Sequence, residues 1–153
     1  MQPKPQKRHK ALQPLSREHH HGLLLSWKIR AGFSKDVDPK RIRAYADWFY
    51  KNLLIPHFNM EEKHIFPILE NNNELVKRAL ADHRHLKRLF EAREDDNITL
   101  HRIEEELEQH IRFEERVLFP EIQNVATKDE FLQIENIHQP KKFVDNENDL
   151  FWK

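Results

Sequence analysis

Two stretches of the chain decide its fold: His57-Phe-Asn-Met-Glu61-Glu62-Lys-His-Ile-Phe66-Pro67 and His110-Ile-Arg-Phe-Glu114-Glu115-Arg-Val-Leu-Phe119-Pro120. The second stretch repeats the pattern of the first 53 positions later in the chain. In a helix, a His and a Glu four residues apart lie on one face, about 6 Å apart along the axis. That face is also the apolar one in both copies. The repeat therefore predicts two helices that each direct an imidazole and a carboxylate into the core.

Composition limits the classes of protein to which the chain can belong. Its 153 residues are enough for one domain with a substantial core. Lys plus Arg and Asp plus Glu number 26 each, and this balance argues against nucleic acid or a membrane as partner. The absence of cysteine excludes disulfides, thiolate metal sites and cysteine nucleophiles, and it is typical of a reducing compartment, so we expect a cytoplasmic protein. Eleven histidines are unusual for this length, and histidine is the commonest protein ligand of transition metals.

Helical periodicity predicts four long helices with short links. They are expected at about residues 16–31, 39–69, 73–95 and 98–124. Pro56 and Pro67 each remove a backbone hydrogen bond, so we expect bends in the second helix. Four helices of this length predict an all-α fold, an antiparallel up-and-down four-helix bundle over residues 14–126.

The two ends of the chain are predicted to differ from this bundle. Residues 1–13 are basic, contain prolines and carry no acid, so they are expected to form a flexible tail. Thr127 and Glu130 have the spacing of a capping box, which predicts a short extra helix after the bundle. The rest of residues 127–153 is expected to form a C-terminal tail that packs on the bundle through Phe151 and Trp152.

Polar residues interrupt the apolar stripes of the second and fourth helices. They are His57, Glu61, His64, His110 and Glu114. The third helix contributes His83, which falls between Leu80 and Leu86. The first helix contains the run from His19 to His21. Here His20 fits best because Leu23, Leu24 and Trp27 follow it at helical intervals. His19 is the alternate, since Glu18-His19 parallels Asp82-His83.

The two buried carboxylates favour a metal site. A single imidazole on an apolar stripe is commonly a core histidine bonded to the backbone, but an unpaired buried carboxylate costs several kcal/mol. One His from each helix and two Glu give four imidazoles and two carboxylates. This set is too large for one tetrahedral zinc ion, and its mixed nitrogen and oxygen donors suit two iron or manganese ions bridged by the carboxylates. Two divalent ions carry four positive charges, whereas the two carboxylates carry two negative ones. This excess of positive charge favours an oxo or hydroxo bridge and leaves room for a small ligand.

Three further residues are candidates for supporting roles. His64 lies one heptad after His57 on the core stripe. The simpler interpretation is an ordinary buried imidazole, and the functional alternative is that it bonds a ligand side chain or gates the site. Glu62 and Glu115 follow the two core carboxylates. The simpler interpretation places each on a solvated helix surface, and the functional alternative is that each orients a ligand imidazole by a hydrogen bond.

The doubled pattern of His, Glu-Glu and Phe-Pro resembles the hemerythrin-like, or HHE cation-binding, domain. The resemblance covers roughly residues 15–124 and implies a non-haem di-iron centre. Carried over by position, it implies six ligands: His20, His57, Glu61, His83, His110 and Glu114. The chain departs from the oxygen-carrying members, because Lys87 stands where they have a second His in the third helix. Its last carboxylate is also a Glu four residues after its His, where the carriers have an Asp five residues after. Bacterial members with four His and two Glu are the closer comparison.

The resemblance implies a protein that binds two iron ions, with manganese or zinc as alternatives, and that binds or senses dioxygen or nitric oxide or handles iron. The alternative is a di-iron enzyme acting on peroxide, dioxygen or nitric oxide, or a ferritin-like iron oxidase. The ferritin-like spacing of Glu and His three residues apart occurs at Glu61 and His64, but Val117 breaks it in the second copy. No further core residue has the character of a general acid or base, so a binding or sensing module is favoured over an enzyme. The sequence leaves the oligomeric state open.

Overall fold

Helices make up all the regular secondary structure in the described residues, which are 7–70, 72–138 and 141–153 of the computed structural model. The α-helices are α1 (Gln13–Ser34), α2 (Pro39–Phe49), α3 (Ile55–Met60), α4 (Glu74–Glu91), α5 (Asp96–Phe113), α6 (Phe119–Val125) and α7 (Lys128–Ile137). Other helical turns are the π turns Tyr50–Leu54, Glu61–Ile65 and Glu114–Leu118 and the 3-10 turns Lys10–Leu12 and Phe66–Ile68. The predicted all-α fold is confirmed. No helix in this part of the chain is long and apolar enough to cross a membrane.

We call the four long helical segments arms. Two of them are single α-helices, and in the other two π turns join shorter helices. Arm A is α1, arm B is residues 39–68, arm C is α4 and arm D is residues 96–125. Side chains cap the N-termini of several helices. At α2, Asp38 accepts a hydrogen bond from the amide of Lys40, and at α4, Asn73 accepts hydrogen bonds from the amides of Leu75 and Val76. The capping box of Thr127 and Glu130 at α7 is confirmed.

Each π turn lies directly before a proline. The turns end at Leu54, Ile65 and Leu118, two residues before Pro56, Pro67 and Pro120. Proline has no N–H and its ring clashes with the carbonyl four residues earlier, so a wider turn with i→i+5 bonds accommodates it within a continuing helix. Where we expected Pro56 and Pro67 to bend the helix, the structure shows a π turn at each.

Two hydrophobic cores fill the interior, and the predicted site residues lie at the junction between them. Core 1 is built mainly from the chain around Ile29, Phe49, Leu86 and Ile103. Core 2 is built mainly from the chain around Leu15, Ile65, Val76 and Leu118. In arms A and C the candidate ligand falls in sequence between the residues of the two cores. In arms B and D the His and the Glu flank the point at which the chain passes from core 1 to core 2.

Arms A and D approach each other closely at a glycine. A Cβ atom on Gly22 would lie 2.6 Å from Cδ1 of Ile111, which is far inside van der Waals contact. Gly22 lies one turn after His19, so its lack of a side chain allows α1 to approach α5 beside the candidate site.

Residues 7–13 differ from the expected flexible tail, while residues 1–6 of that tail lie outside the described part. Ala11 and Leu12 are buried, and Arg8 donates hydrogen bonds to the Glu115 carbonyl and to Gln123 of arm D. The apolar pair Ala11-Leu12 extends the buried stripe of α1 into core 2. The sequence did not indicate this burial because the pair follows a run of basic residues. At the other end, Phe151 is buried in core 1.

Candidate metal centre

Six polar side chains meet at the junction of the two cores, and all are almost fully buried. They are His19, His57, Glu61, His83, His110 and Glu114. Each arm supplies one imidazole, and arms B and D each supply one carboxylate. The four-residue spacing of His57 and Glu61, and of His110 and Glu114, places each pair on one helix face, as the repeat predicted.

The donor atoms of these side chains form two overlapping groups. One group contains His19, His57, Glu61 and Glu114, and the other contains His83, His110, Glu61 and Glu114. Within each group, all donor atoms lie within 4.8 Å of one another. The Nε2 atom of His83 is 3.1 Å from Oε1 of Glu61, and that of His110 is 3.0 Å from Oε1 of Glu114. Both carboxylates therefore belong to both groups.

The structure corrects the choice in the first helix. His19 is 3% exposed and its Nε2 lies 3.1 Å from Oε1 of Glu114, whereas His20 is exposed. The reason is that the buried face of α1 is formed by Leu15, Gly22, Ile29 and their neighbours. Trp27, which supported His20 in the sequence, is 52% exposed.

The outer nitrogen of each imidazole is hydrogen-bonded to a carboxylate from a neighbouring arm. Glu18 of arm A contacts Nδ1 of His57 at 2.7 Å, and Glu62 of arm B contacts Nδ1 of His83 at 2.8 Å. Asp82 of arm C contacts Nδ1 of His110 at 2.9 Å, and Glu115 of arm D contacts Nδ1 of His19 at 2.7 Å. We call these four contacts the acid ring. Each arm thus supports the imidazole of the next, and the ring closes from D back to A.

Glu62 and Glu115 make the imidazole contacts that the functional alternative requires, whereas Glu18 and Asp82 were missed. The signal for them was present, because Glu18-His19 and Asp82-His83 are parallel acid–His pairs in the sequence. Such contacts fix the ring orientation and make Nδ1 the protonated nitrogen when Nε2 binds a metal.

The charges of the cluster shift the pKa values of its members strongly. Burial alone lowers the pKa of the His57 and His110 imidazoles, but the carboxylates beside them more than compensate and raise each to about 9. The pKa of His19 is likewise raised well above its ordinary value by Glu114, Glu115 and Glu61 against the effect of burial. Burial raises the pKa of Glu18, but His138 and His57 lower it to about 2. Without metal, His57 and His110 are therefore protonated at neutral pH. Burial raises the pKa of Glu61 beside them, but the imidazoles around it, His57 above all, hold that pKa well below its ordinary value. A metal cation would replace the protons of these imidazoles.

Several inward-facing atoms of the cluster lack a hydrogen-bond partner among the described residues. They are Nε2 of His57, His83 and His110, both carboxylate oxygens of Glu61 and Oε2 of Glu114. Buried polar atoms are normally satisfied, and orphaned ones indicate strain, chemistry or an ion. Imidazole nitrogens and carboxylate oxygens without sulfur suit transition metals of intermediate softness. The donor set therefore fits metal ions.

A narrow gap borders the cluster on the side of core 1. Its apolar walls are Leu54, Phe58, Leu107 and Ile111, and its polar walls include His57, His110 and Glu114. The gap has no room for a water molecule. It gives the cluster an apolar, dehydrated side.

His64 does not join the cluster, contrary to its predicted place on the core stripe. It is half-buried and lines a separate surface crevice with Pro67 and Ile137. The π turn from Glu61 to Ile65 adds a residue to the helical turn, so Ile65 rather than His64 points inward. Glu61 and His64 thus have the ferritin-like spacing in sequence, but only Glu61 lies in the cluster. Lys87, which replaces the second His of the oxygen carriers, lies 3.9 Å from Glu62.

A known protein family matches most of the chain. The family model described as the hemerythrin HHE cation-binding domain matches residues 11–122. Neither the curated proteins nor the solved structures gave a match. The matched range contains all six clustered side chains and the complete acid ring. With this match over most of its length and the buried His and Glu groups that fit metal, the chain belongs to the hemerythrin family of HHE cation-binding domains.

Proposed function

We propose that the chain holds two iron ions, bridged by Glu61 and Glu114, and that the loaded centre binds dioxygen or nitric oxide. The observation that carries the proposal is the division of the donors into two groups that share both carboxylates. His19 and His57 would complete the set around one ion, and His83 and His110 the set around the other.

The charge and type of the donors support iron. Each group offers two imidazoles and two shared carboxylates, which exceeds the common three-ligand catalytic zinc site and favours a metal that accepts five or six ligands. Manganese and zinc are the alternatives that metal analysis must exclude. Two divalent ions would bring four positive charges against two carboxylates, so a small anion between them would be favoured.

The apolar side of the cluster supports a small, weakly polar ligand, which would enter the closed gap as its side chains move apart. Leu54, Phe58, Leu107 and Ile111 offer no hydrogen bonds, and the gap is too narrow for an organic substrate. Apart from Glu18, the polar residues that line it are all candidate ligands, so the described residues provide no separate general acid or base there. This arrangement favours reversible binding or sensing of a diatomic molecule over catalysis.

We also propose that the four arms run alternately up and down, as an antiparallel four-helix bundle. The order of the cores along the chain supports this topology. Arm A passes from core 2 to core 1, arm B returns to core 2, arm C passes to core 1, and arm D returns. The absence of cysteine supports a reducing location, for which we propose the cytoplasm.

Metal analysis tests the first part of the proposal. Protein loaded anaerobically with Fe²⁺ and desalted should retain two irons per chain. The isosteric double variant Glu61→Gln with Glu114→Gln should retain less than one, because it removes both anionic bridges. A control double variant, Glu105→Gln with Glu121→Gln, changes two exposed carboxylates on arm D and should retain two. Equal iron in the two double variants would contradict the proposal.

Ligand binding tests the second part. Nitric oxide added to the anaerobic diferrous protein should produce an iron–nitrosyl absorption spectrum that disappears when the gas is removed. Leu107→Phe should weaken this binding about tenfold or more while leaving the iron content at two, because the larger ring fills the gap. An unchanged spectrum on addition of nitric oxide and of dioxygen would contradict a diatomic-binding role.

A further inference from the structure

A second cavity opens on the surface between arm A, arm B and the C-terminal segment. It has a volume of about 500 Å³, which is within the range of small-molecule sites. Its walls include Trp48, Leu53 and Phe143. The Phe143 ring stacks on His21 with a centroid distance of 4.0 Å and meets Trp48 edge to face at 6.2 Å. One wall of the cavity is therefore a fixed aromatic surface.

Cations surround this aromatic surface. Arg17, Lys141 and Lys142 all line the cavity. Among the described residues, none of their side chains takes part in a hydrogen bond or an ion pair. Three unpaired positive charges around one concave surface create a local field that attracts anions, although the chain as a whole is neutral.

The acid in the cavity wall does not cancel this field. Glu18 lines the cavity, but its carboxylate already contacts Nδ1 of His57 at 2.7 Å and Nε2 of His138 at 3.2 Å. Glu18 and Leu53 also line the narrow gap beside the candidate metal cluster, so they form the partition between the two spaces. A molecule in the cavity would lie one side chain away from His57.

We propose that this cavity is a binding site for a small organic anion with a flat, aromatic body. The ring would lie against Trp48 and Phe143, and the carboxylate or sulfonate would face Lys141, Lys142 and Arg17. The site lies outside the metal cluster, and the proposal is independent of which metal or diatomic ligand that cluster binds.

The test compares two probes of one shape by titration calorimetry on the full chain. 1-Naphthoate is expected to bind, and 1-naphthamide, which is uncharged, to bind about tenfold more weakly. The double variant Lys141→Gln with Lys142→Gln should weaken naphthoate about tenfold and leave naphthamide unchanged. The control Lys40→Gln with Lys128→Gln removes the same charge from exposed positions elsewhere and should change neither affinity.

A charge reversal makes the test sharper. Lys141→Glu with Lys142→Glu should reverse the preference, so that 1-naphthylmethylammonium binds more tightly than naphthoate. Equal affinity of the wild-type chain for naphthoate and naphthamide, equal loss in the two Lys→Gln double variants, or no binding of naphthoate at millimolar concentration would each overturn the proposal. All titrations can be made on metal-free protein, so a failure of the metal proposal would not affect the result.

Discussion

His19 and His20 are neighbours in sequence, but only His19 reaches the cluster. A helix turns by about 100° per residue, so the His20 side chain points well away from the direction in which His19 enters the cluster. The apolar residues that follow the histidine run include Leu24 and Trp27, and these remain largely exposed in the structure. The stripe inferred from these hydrophobic residues therefore pointed to His20, one position after the histidine that is buried.

This correction can be tested by a pair of matched variants. His19→Gln should reduce the iron retained after anaerobic loading and desalting from two per chain to one or fewer, because one ion would lose an imidazole. His20→Gln should retain two, since its side chain is exposed. Iron measured by a colorimetric chelator and protein measured by amino-acid analysis give the ratio. A lower ratio for His20→Gln than for His19→Gln would restore the original assignment.

The acid ring can be tested at Asp82, whose one side-chain hydrogen bond within the described part of the chain is to the outer nitrogen of His110. Asp82→Asn keeps the shape but removes the charge that supports the imidazole, and we expect metal affinity to fall about 10- to 100-fold. Competition with a chelator of known affinity measures the change. Asp129→Asn, at an exposed position of α7, should leave affinity unchanged.

At the scale of elements, the π turns decide which residues face inward after each candidate carboxylate. A regular helix would place Val117, three residues after Glu114, on the inner stripe. The π turn instead buries Leu118 fully and leaves Val117 44% exposed. The same shift buries Ile65 and removes His64 from the cluster.

Stability measurements can detect this shift. Leu118→Ala should lower the free energy of unfolding of the metal-free protein by about 2–5 kcal/mol, because it leaves a cavity in core 2. Val117→Ala should lower it by no more than about 0.5 kcal/mol. Urea unfolding followed by circular dichroism gives both values. A larger loss for Val117→Ala would show that the helix is regular there.

Sequence patterns were sufficient for the parts of the structure that follow a fixed period. The helical fold, the His–Glu pairs of arms B and D, and His83 all follow from spacing and apolar stripes. The patterns failed where the period changes, as at His64, or where the stripe is ambiguous, as at His20. They also missed Glu18 and Asp82. The parallel pairs Glu18-His19 and Asp82-His83 were visible, but the imidazoles that these acids contact lie on the next arm, and spacing within one helix does not indicate such a contact.

At the scale of the whole molecule, the cluster links stability to pH. The folded metal-free chain raises the pKa of His57 and His110 from an ordinary 6.5 to about 9. Their stabilising contribution is therefore complete below about pH 6.5 and is lost as the pH rises through 9. The carboxylates act in the opposite sense, since the pKa of Glu18 is lowered to about 2 and their contribution is lost as the pH falls below about 4.5.

We expect the metal-free protein to be most stable near pH 5–6.5 and to lose a few kcal/mol between pH 6.5 and 9.5. Urea unfolding at these pH values measures the loss. The double variant His57→Gln with His110→Gln should show a smaller dependence on pH over this range. Unfolding free energy that rises toward pH 9.5 in the wild-type chain would contradict the proposed proton linkage.

The acid ring also has an internal two-fold symmetry. Exchange of arm A with arm C, and of arm B with arm D, maps the Glu18–His57 contact onto Asp82–His110 and the Glu62–His83 contact onto Glu115–His19. The same exchange converts one donor group into the other. Two ions in these positions would meet equivalent protein donors, so a difference between them in affinity or redox potential has to originate outside the donors. The surroundings are unequal in this respect. Besides its imidazole, Glu115 contacts Arg8 and Ser16, whereas among the described residues Glu62 has only the more distant Lys87.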